Sequence, residues 1–254
     1  METPEKGSIS SPLRASDIDA VIFDFDGTLR RNEPSGMSYF ADAAEQYGLE
    51  VDSQTRREAA RWNHAYWADS DERSADAEAA EGDGEGFWLN YARRHLRALG
   101  ATQRQAEQMA PEIHRHMAEQ YDPVDVVPDD VVPTLDALRR AGYQLALVSN
   151  RDQALHQAVA DLALEGKFEL ALAAGEVGWW KPDPRILLYA AERIGVDPPR
   201  AMYVGDNPYA DVEGARRAGL QPVLIDPDDL FPEIRCPSIR RLGQLSALLE
   251  LDPS

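Results

Sequence analysis

An unbroken apolar run ends in a cluster of polar residues in the stretch D-A-V-I-F-D-F-D-G-T-L, residues 19–29. The run from Ala20 to Phe23 has the composition of a parallel strand that is covered on both faces. Asp24 and Asp26 follow it, and they point the same way if the extended backbone continues for two residues. Because ligands bind beyond the carboxyl ends of parallel strands, the pair indicates a metal site or an acid beside a base. A solvated acidic turn is the alternative.

Composition limits the classes of function open to the chain. Its 254 residues suffice for one large domain, or for a core with an insertion. The net charge of −19 disfavours nucleic acid and anionic membranes as partners. A single cysteine, Cys236, excludes an internal disulfide and a cysteine-rich zinc site and fits a reducing compartment. Without the apolar run of a signal peptide or a membrane span, the sequence predicts a cytoplasmic protein.

The part of the chain after the first strand is predicted to be a helical insertion. Helix-length patterns lie at residues 37–47, 53–67, 87–99 and 102–121. Residues 69–86 hold eight acidic residues and one arginine without a large apolar side chain. This composition predicts a mobile, solvated connector, although its alanine-rich middle could form a helical turn.

Beyond residue 123 helix and strand patterns alternate. Strands are predicted at 144–148, 170–174, 201–204 and 222–225, and helices at 130–141, 152–164, 184–194 and 209–218, with an edge strand at 238–242 and a final helix at 243–251. This alternation predicts an α/β fold, a Rossmann-like parallel sheet with helices on both faces, plus the inserted, mainly helical cap. The predicted domains are a disordered tail at 1–16, a catalytic core at 17–32 and 124–254, and a cap at 33–123.

Four strand ends carry polar residues whose types form one chemical set. They are Asp24 and Asp26, Ser149 and Asn150, Lys181, and Asp206 with Asp211. A doubly wound sheet brings such strand ends to one crevice, where they supply oxygen ligands for a hard cation and donors for an oxyanion. Each also has a structural interpretation, as a helix cap, a loop lysine or a turn acid. Because the chain has only three lysines, a lysine within this set is notable.

The set resembles the motifs of the haloacid dehalogenase-like hydrolase superfamily, the aspartate-nucleophile phosphatases. The matching motifs are D-F-D-G-T-L at 24–29, L-V-S-N at 147–150, K-P-D-P at 181–184 and V-G-D-N-P-Y-A-D at 204–211. The position and helicity of the insertion look like the cap of the phosphoglycolate phosphatase-like branch. The resemblance implies a magnesium-dependent phosphatase that hydrolyses a small phosphorylated metabolite through an aspartyl-phosphate.

The resemblance also implies residue roles. Asp24 would be the nucleophile, and Asp26 would protonate the leaving oxygen and then activate water. The implied Mg²⁺ ligands are the Asp24 carboxylate, the Asp26 backbone carbonyl and Asp206. Ser149, the Asn150 amide and Lys181 would hold the phosphoryl oxygens, with Thr28 steadying the loop and Asp211 acting behind Asp206 or on Lys181.

The same residues bear on the other activities of this superfamily. Members that cleave carbon–halogen bonds carry an aromatic residue where this chain has Asp26, so dehalogenation is disfavoured. Phosphonate cleavage needs a cap lysine, and none lies between Lys6 and Lys167. Phosphoryl transfer by a mutase uses the same core residues and stays open, as does a binding protein of this fold without turnover. Neither the particular substrate nor the oligomeric state follows from the sequence.

Aromatic residues of the second cap helix are candidates for substrate selection. They are Trp62, His64, Tyr66 and Trp67. Residues four apart share a helix face, and aromatic side chains at this spacing more often pack inside a domain than contact a substrate. Trp179 and Trp180, just before Lys181, are candidates for the boundary between core and cap.

Overall fold

The computed structural model describes residues 15–68, 70–80 and 84–251. Residues 1–14, most of the predicted disordered tail, lie outside the described residues. The strands are β1 (Ala20–Phe23), β2 (Arg31–Glu33), β3 (Val124–Val126), β4 (Gln144–Ser149), β5 (Leu170–Ala173), β6 (Ala201–Gly205), β7 (Gln221–Ile225) and β8 (Ser238–Ile239). The α-helices are α1 (Gly36–Gln46), α2 (Ser53–Trp67), α3 (Asp71–Ala79), α4 (Gly84–Ala98), α5 (Gln103–Gln120), α6 (Val131–Arg140), α7 (His156–Asp161), α8 (Ala174–Val177), α9 (Pro184–Ile194), α10 (Glu213–Ala218) and α11 (Leu245–Leu248).

Six strands form one parallel sheet in the order β5-β4-β1-β6-β7-β8. β1 pairs with β4 on one side and with β6 on the other. The chain builds the sheet outward from β1 in one direction and then in the other, so the strand order reverses beside β1. Such a reversal opens a crevice at the carboxyl ends of the strands. The predicted Rossmann-like α/β fold is confirmed.

Alternate residues of β1 enter two different hydrophobic cores. Val21 and Phe23 pack in the core that includes residues of α6 and α11, whereas Ala20 and Ile22 pack in the core that includes residues of α9 and α10. All four side chains are fully buried. Because successive strand residues point to opposite faces, this division requires helices on both sides of the sheet.

Local sequence signals define both ends of α9, which the sequence predicts at residues 184–194. Asp183 caps the helix by accepting a hydrogen bond from the Arg185 N–H, and Pro184 occupies the first helical position. Gly195 ends the helix with φ of 71°, a left-handed conformation that suits glycine. These signals fix the helix that follows Lys181 in the chain.

Helices α1 to α5 lie between β2 and β3 and have a hydrophobic core of their own. Its buried members include Phe40, Leu96, Leu99 and Ile113. β2 and β3 pair antiparallel where the chain leaves and re-enters the sheet-bearing part. No local pattern indicated this two-stranded ribbon, because each strand has only three residues and β2 consists of polar residues alone.

The acidic connector is more ordered than expected. Residues 71–79 of it form α3, capped by the Ser70 side chain, which accepts from the Arg73 N–H. Asp76 is buried on this helix and accepts hydrogen bonds from the Tyr66 hydroxyl at 3.0 Å and from Arg94 Nε at 2.7 Å. The helical turn that the alanine-rich middle allowed is therefore confirmed and extends over residues 71–79, most of which are exposed to solvent as predicted, whereas Asp76 is buried inside the insertion.

The helix predicted at 152–164 begins later, as α7. The residues before it form a loop that packs against Gly175: the Arg151 carbonyl accepts from the Gly175 N–H at 3.0 Å. A Cβ at Gly175 would come within 2.0 Å of the Asp152 carbonyl oxygen, so only glycine permits this approach. The final helix is also shorter than predicted, and β8 spans only two residues. Within the described ranges, no helix has the length and apolarity that crossing a membrane requires.

Candidate active site

Asp24 lies at the carboxyl end of β1, in the middle of the sheet. Its N–H donates to the Val204 carbonyl at 2.8 Å, which keeps the backbone in register with β6 for one residue beyond the strand. Ser149 ends β4 and Asp206 directly follows β6. Since β4 and β6 are the two neighbours of β1, three of the predicted strand ends meet at one crevice.

Lys181 brings the fourth predicted residue into the same crevice. Its ammonium lies 2.6 Å from Asp24 Oδ1 and 2.8 Å from Asp211 Oδ1, and the side chain is only 1% exposed. Burial alone would lower the pKa of Lys181, but the Asp211 and Asp24 carboxylates outweigh it and raise that pKa well above its usual range. The lysine is therefore a permanent positive charge beside Asp24.

Two side chains hold Lys181 in place. Asn150 Oδ1 accepts from the Lys181 N–H at 2.7 Å, and Asn150 Nδ2 donates to the Lys181 carbonyl at 2.8 Å. The Lys181 ammonium also donates to the Tyr203 hydroxyl at 2.6 Å, and that hydroxyl donates to the Val148 carbonyl at 3.1 Å. The side-chain amide of Asn150 thus positions the lysine loop.

Three carboxylates form a cluster around the end of β1. Oxygen atoms of Asp24, Asp206 and Asp211 lie within 4.8 Å of one another. Burial raises the pKa of Asp24 to about 7, with Lys181 opposing and the neighbouring acids adding to the shift. Burial, and then the charges of Asp24 and Asp211, raise the pKa of Asp206 well above its usual range. Both acids therefore resist ionisation while the cluster holds no further cation.

The cluster has the properties of a site for Mg²⁺. It offers three oxygen ligands of the type that hard cations prefer, against a single lysine. A Cβ at Gly27 would meet Asp206 Oδ2 at 2.3 Å, so the loop after Asp26 approaches this carboxylate as only glycine allows. The donor chemistry and the close loop fit a divalent cation. Asp211, predicted to act behind Asp206 or on Lys181, contacts Lys181 and also belongs to the cluster.

Asp26 follows Asp24 by two residues, but its carboxylate is outside the cluster. Arg151 binds it with two hydrogen bonds, Nε to Oδ2 and Nη2 to Oδ1, both 2.7 Å long. Arg30 Nε donates to Oδ1 at 2.5 Å. Burial would raise the pKa of Asp26, but Arg151 and Arg30 together hold that pKa below its usual value. In this conformation both oxygens of the predicted general acid are engaged by arginines.

Thr28 is buried in the loop that follows the two aspartates. Its hydroxyl has no hydrogen-bond partner among the residues that the structure describes. The loop turns at Gly27, whose φ is 89°. The Gly27 N–H donates to the Arg30 carbonyl at 2.8 Å, so the turn closes on the same arginine that binds Asp26.

The four candidate residues of α2 divide into two pairs. Trp62 donates to Glu72 at 3.0 Å and Tyr66 donates to Asp76, so both bond within the insertion. His64 instead reaches the sheet: its Nδ1 lies 3.9 Å from Asp206 Oδ2, and its carbonyl accepts from Asn207 Nδ2 at 2.8 Å. Trp67 borders a cavity next to the crevice. Burial lowers the pKa of His64, which favours the neutral imidazole.

That cavity has a volume of about 620 Å³ and is called the side cavity below. Trp67 and Arg73 of the insertion line it, together with Asn150, Arg151 and Trp180 of the sheet-bearing part. Asn150 and Arg151 connect it to the crevice at Asp24. Of the two tryptophans predicted at the boundary between core and cap, Trp180 shares this cavity with Trp67, whereas Trp179 packs against Tyr189 and Arg185 of α9.

The arginines at Asp26 and the tyrosine at Lys181 did not emerge from sequence reasoning. A signal existed for Arg151, since it directly follows Ser149 and Asn150. Arg30 follows Asp26 by four residues within the turn. Tyr203 lies in the apolar run of β6, where the sequence pattern predicts an aromatic side chain of the hydrophobic core. Only the sheet register places it opposite Ile22 and close to Lys181.

The chain was compared with known proteins. A sequence profile of the haloacid dehalogenase-like hydrolases matches residues 18–219. Haloacid dehalogenase-like hydrolase domain-containing protein 3 of Bos taurus is 30% identical over 234 residues, covering 88% of this chain and 89% of that protein. A phosphoserine phosphatase of Thermus thermophilus is 31% identical over 255 residues, covering 90% and 99%. The crystal structure of 2-haloacid dehalogenase from Pseudomonas syringae pv. Tomato DC3000 matches with a TM-score of 0.53 at 25% identity, covering 92% and 98%.

These comparisons agree with the architecture and with the motifs at the crevice. The profile covers the strand that bears Asp24, the insertion and the strand that precedes Asp206. Relatives named for phosphatase activity and for dehalogenase activity both occur, so the family is common to them while the reaction differs. The chain belongs to the haloacid dehalogenase-like hydrolases.

Proposed function

We propose that the protein is a magnesium-dependent phosphatase that hydrolyses a small phosphorylated metabolite through a phosphoryl group on Asp24. The observation that carries this proposal is the buried contact of 2.6 Å between Lys181 Nζ and Asp24 Oδ1, beside the Asp206 and Asp211 carboxylates. A carboxylate in this setting is fixed in orientation and flanked by positive charge. Both properties suit attack on an anionic phosphorus centre.

The reaction has two steps. In the first, an Asp24 oxygen attacks phosphorus and the bond from phosphorus to the ester oxygen breaks. Asp26, protonated from solvent once Arg151 has released its carboxylate, gives that proton to the leaving oxygen. In the second, water attacks phosphorus and transfers a proton to Asp26, and the bond to Asp24 breaks. The carboxylate of Asp24 and the proton of Asp26 are thereby restored.

The phosphoryl oxygens need donors that do not depend on the leaving group. Ser149 lies at the end of β4, and the Lys181 ammonium lies beside the nucleophile. The side-chain amide of Asn150 is engaged with Lys181, so its contribution to the phosphoryl group would come from its backbone N–H. Thr28, whose hydroxyl has no partner among the described residues, would steady the loop that carries Asp26.

The carboxylate cluster supports the metal requirement. Asp24 and Asp206 would hold the ion, with the Asp26 backbone carbonyl as a third ligand and Asp211 as a further oxygen close by. A bound Mg²⁺ would neutralise the charge that three carboxylates and a phosphate bring together at this point. One lysine cannot supply that neutralisation alone.

The presence of Asp26 favours hydrolysis of a phosphate ester over cleavage of a carbon–halogen bond as the reaction of this site. An alkoxide leaving group needs a proton, whereas a halide does not, and Asp26 is a carboxylic acid two residues from the nucleophile. The names of relatives add support, since they include phosphatases acting on phosphoserine and phosphoglycolate. A mutase remains the second candidate on the same residues, with the insertion acting as the cap.

The single cysteine supports a cytoplasmic location.

The test is release of inorganic phosphate from p-nitrophenyl phosphate and a panel of metabolite phosphates, with Mg²⁺ and after exhaustive chelation. Mass spectrometry of rapidly quenched enzyme should place one phosphoryl group on the peptide that contains Asp24. Full activity after chelation would contradict the metal requirement. Phosphoryl transfer to a sugar phosphate without free phosphate would favour the mutase.

A further inference from the structure

The side cavity is positioned to receive the organic part of the substrate. Asn150 and Arg151 line it directly after Ser149, whereas Trp67 and Arg73 come from the insertion. Its volume of about 620 Å³ lies within the range of cavities that hold small ligands. We infer that this cavity selects phosphate esters whose organic part carries a second negative group, a carboxylate, through Arg73 and Arg151. The inference rests on the proposed phosphatase function and names its substrate class.

Arg73 is a cation without a counter-charge in the described part of the chain. Its Nε is buried and has no hydrogen-bond partner among the described residues. The guanidinium lies over the Trp67 ring, 5.8 Å from its centroid, which orients it by stacking rather than by a salt bridge. In a chain with 45 acidic and 26 basic residues, it is unexpected that a half-buried arginine forms no salt bridge with any carboxylate in the described ranges. A substrate carboxylate could bind the Arg73 guanidinium through two parallel hydrogen bonds and supply its counter-charge.

Arg151 is the second positive group on the cavity wall. It is about one third exposed, and its guanidinium lies 4.9 Å from the centre of the Phe25 ring while it binds Asp26. A substrate carboxylate in the cavity would compete with Asp26 for Arg151. Arg30 would remain on Asp26, and the Asp26 oxygen that only Arg151 engages would become available to the leaving group. Binding of the correct substrate would thereby free the predicted acid.

Acidic residues on the same wall do not cancel this preference. Asp125 lies 2.5 Å from Arg30, which it shares with Asp26, so a cation other than Arg73 already faces its charge. Asp161 accepts a hydrogen bond from Gln157, and both Asp161 and Asp152 are exposed to water, which screens their charges. The half-buried guanidinium of Arg73 is screened less and so exerts the stronger local effect.

The experiment compares pairs of substrates that differ in a carboxylate. O-Phosphoserine is paired with O-phosphoethanolamine, and 3-phosphoglycerate with glycerol 3-phosphate. The measured quantity is the ratio of kcat/KM within each pair. We expect the carboxylate-bearing member to be preferred in both pairs, and Arg73→Gln to lower the ratio about tenfold, the worth of one charge-assisted hydrogen bond.

Two further variants separate charge from folding. Arg73→Lys keeps the positive charge and should retain most of the preference, whereas a role limited to packing on Trp67 predicts losses of similar size in both variants. Arg104→Gln removes an exposed arginine of α5 in the same insertion and should leave the ratio unchanged. Circular dichroism and thermal unfolding of each variant exclude loss of the fold.

Equal efficiency on both members of each pair would overturn the inference while leaving the phosphatase function intact. Absence of hydrolysis of every phosphate ester, p-nitrophenyl phosphate included, would instead contradict the proposed function. In that case calorimetric binding of phosphoserine and phosphoethanolamine to the Asp24→Asn variant decides the inference. Tighter binding of phosphoserine supports it, and equal affinities overturn it.

Discussion

The ammonium of Lys181 lies 2.6 Å from Oδ1 of Asp24, and both side chains are buried at the carboxyl end of the sheet. The same ammonium lies 2.8 Å from Asp211, so a single lysine serves two carboxylates while Asp206 stands close to both. The pairing places a positive charge beside the proposed nucleophile, yet one ammonium faces three carboxylates. Stability and catalysis are therefore both tied to the balance of charge at this point.

Replacing Lys181 by methionine should lower both the free energy of unfolding and the rate of turnover. The change leaves Asp24 and Asp211 without their counter-ion in a buried site, and breaking such a pair costs about 3 kcal/mol. We expect the free energy of unfolding, measured by urea denaturation in chelator, to fall by about that amount and turnover to be lost. In Asp24→Asn/Lys181→Met the loss of stability should be smaller than in the lysine variant alone, because one buried charge is removed with its partner. A surface-like cost below about 0.5 kcal/mol would contradict the buried pair.

Asp24→Asn should lower kcat by at least about a thousandfold, because the amide cannot form the covalent intermediate. It should also stabilise the metal-free protein. The folded-state pKa of Asp24 is about 7, above the usual 3.8, so ionising Asp24 costs stability as the pH rises between these values. The stability advantage of the variant, measured in chelator, should therefore grow from about pH 4 to pH 7. Residual activity within about tenfold of the parent would exclude Asp24 as nucleophile.

Tyr203→Phe tests whether the tyrosine hydroxyl positions Lys181. The substitution keeps the buried ring but removes the acceptor that lies 2.6 Å from the lysine ammonium. We expect kcat to fall about tenfold, the effect of one lost hydrogen bond to a charged group, with a smaller change in KM. Tyr189→Phe is the matched control, since that hydroxyl contacts Arg193 on the surface of α9. Equal effects of the two variants on kcat would contradict a role of the Tyr203 hydroxyl in positioning Lys181.

His95 gives the insertion its own pH dependence. The ring is fully buried against Phe40, with ring centres 4.2 Å apart, and burial lowers its pKa from 6.5 to about 3. Because the unfolded chain binds the proton more readily, stability should fall as the pH drops from 6.5 towards 3, by up to about 1.4 kcal/mol per pH unit. His95→Phe should be less sensitive to acid than the parent. His156→Gln, at an exposed position on α7, should behave like the parent in the same urea titrations.

The sequence was sufficient to predict the sheet and its crevice because both depend on local patterns. The apolar run before Asp24, the cap at Asp183 and the glycine after α9 each act within a few residues. In the structure, each of these residues has the strand, cap or helix-end position that its local pattern predicts. Polar residue types at successive strand ends then identify one crevice, since parallel strands end on the same side.

The pairings that the sequence did not reveal are contacts between residues far apart in the chain. Arg151 reaches Asp26 across 125 positions, and although its place after Asn150 puts it at the crevice, nothing near it in the sequence indicates which acid it binds. Asp76 lies in a run of acids that predicts solvation, and only tertiary contact with Tyr66 and Arg94 neutralises it. Local composition cannot report such partners, so the order of α3 and the state of Asp26 emerged only from the fold.

The two faces of α2 should separate stability from substrate selection. Tyr66 is buried and donates to Asp76, so Tyr66→Phe leaves that carboxylate with Arg94 as its remaining side-chain partner and should lower the free energy of unfolding by about 1 to 3 kcal/mol. Trp67 borders the side cavity, so Trp67→Ala should change the ranking of natural substrates much more than activity on p-nitrophenyl phosphate. Urea denaturation and kcat/KM across a substrate panel give the two readouts. If Tyr66→Phe shifted substrate preference as strongly as Trp67→Ala, both faces of α2 would influence the substrate, and the division between a packing face and a selecting face would be wrong.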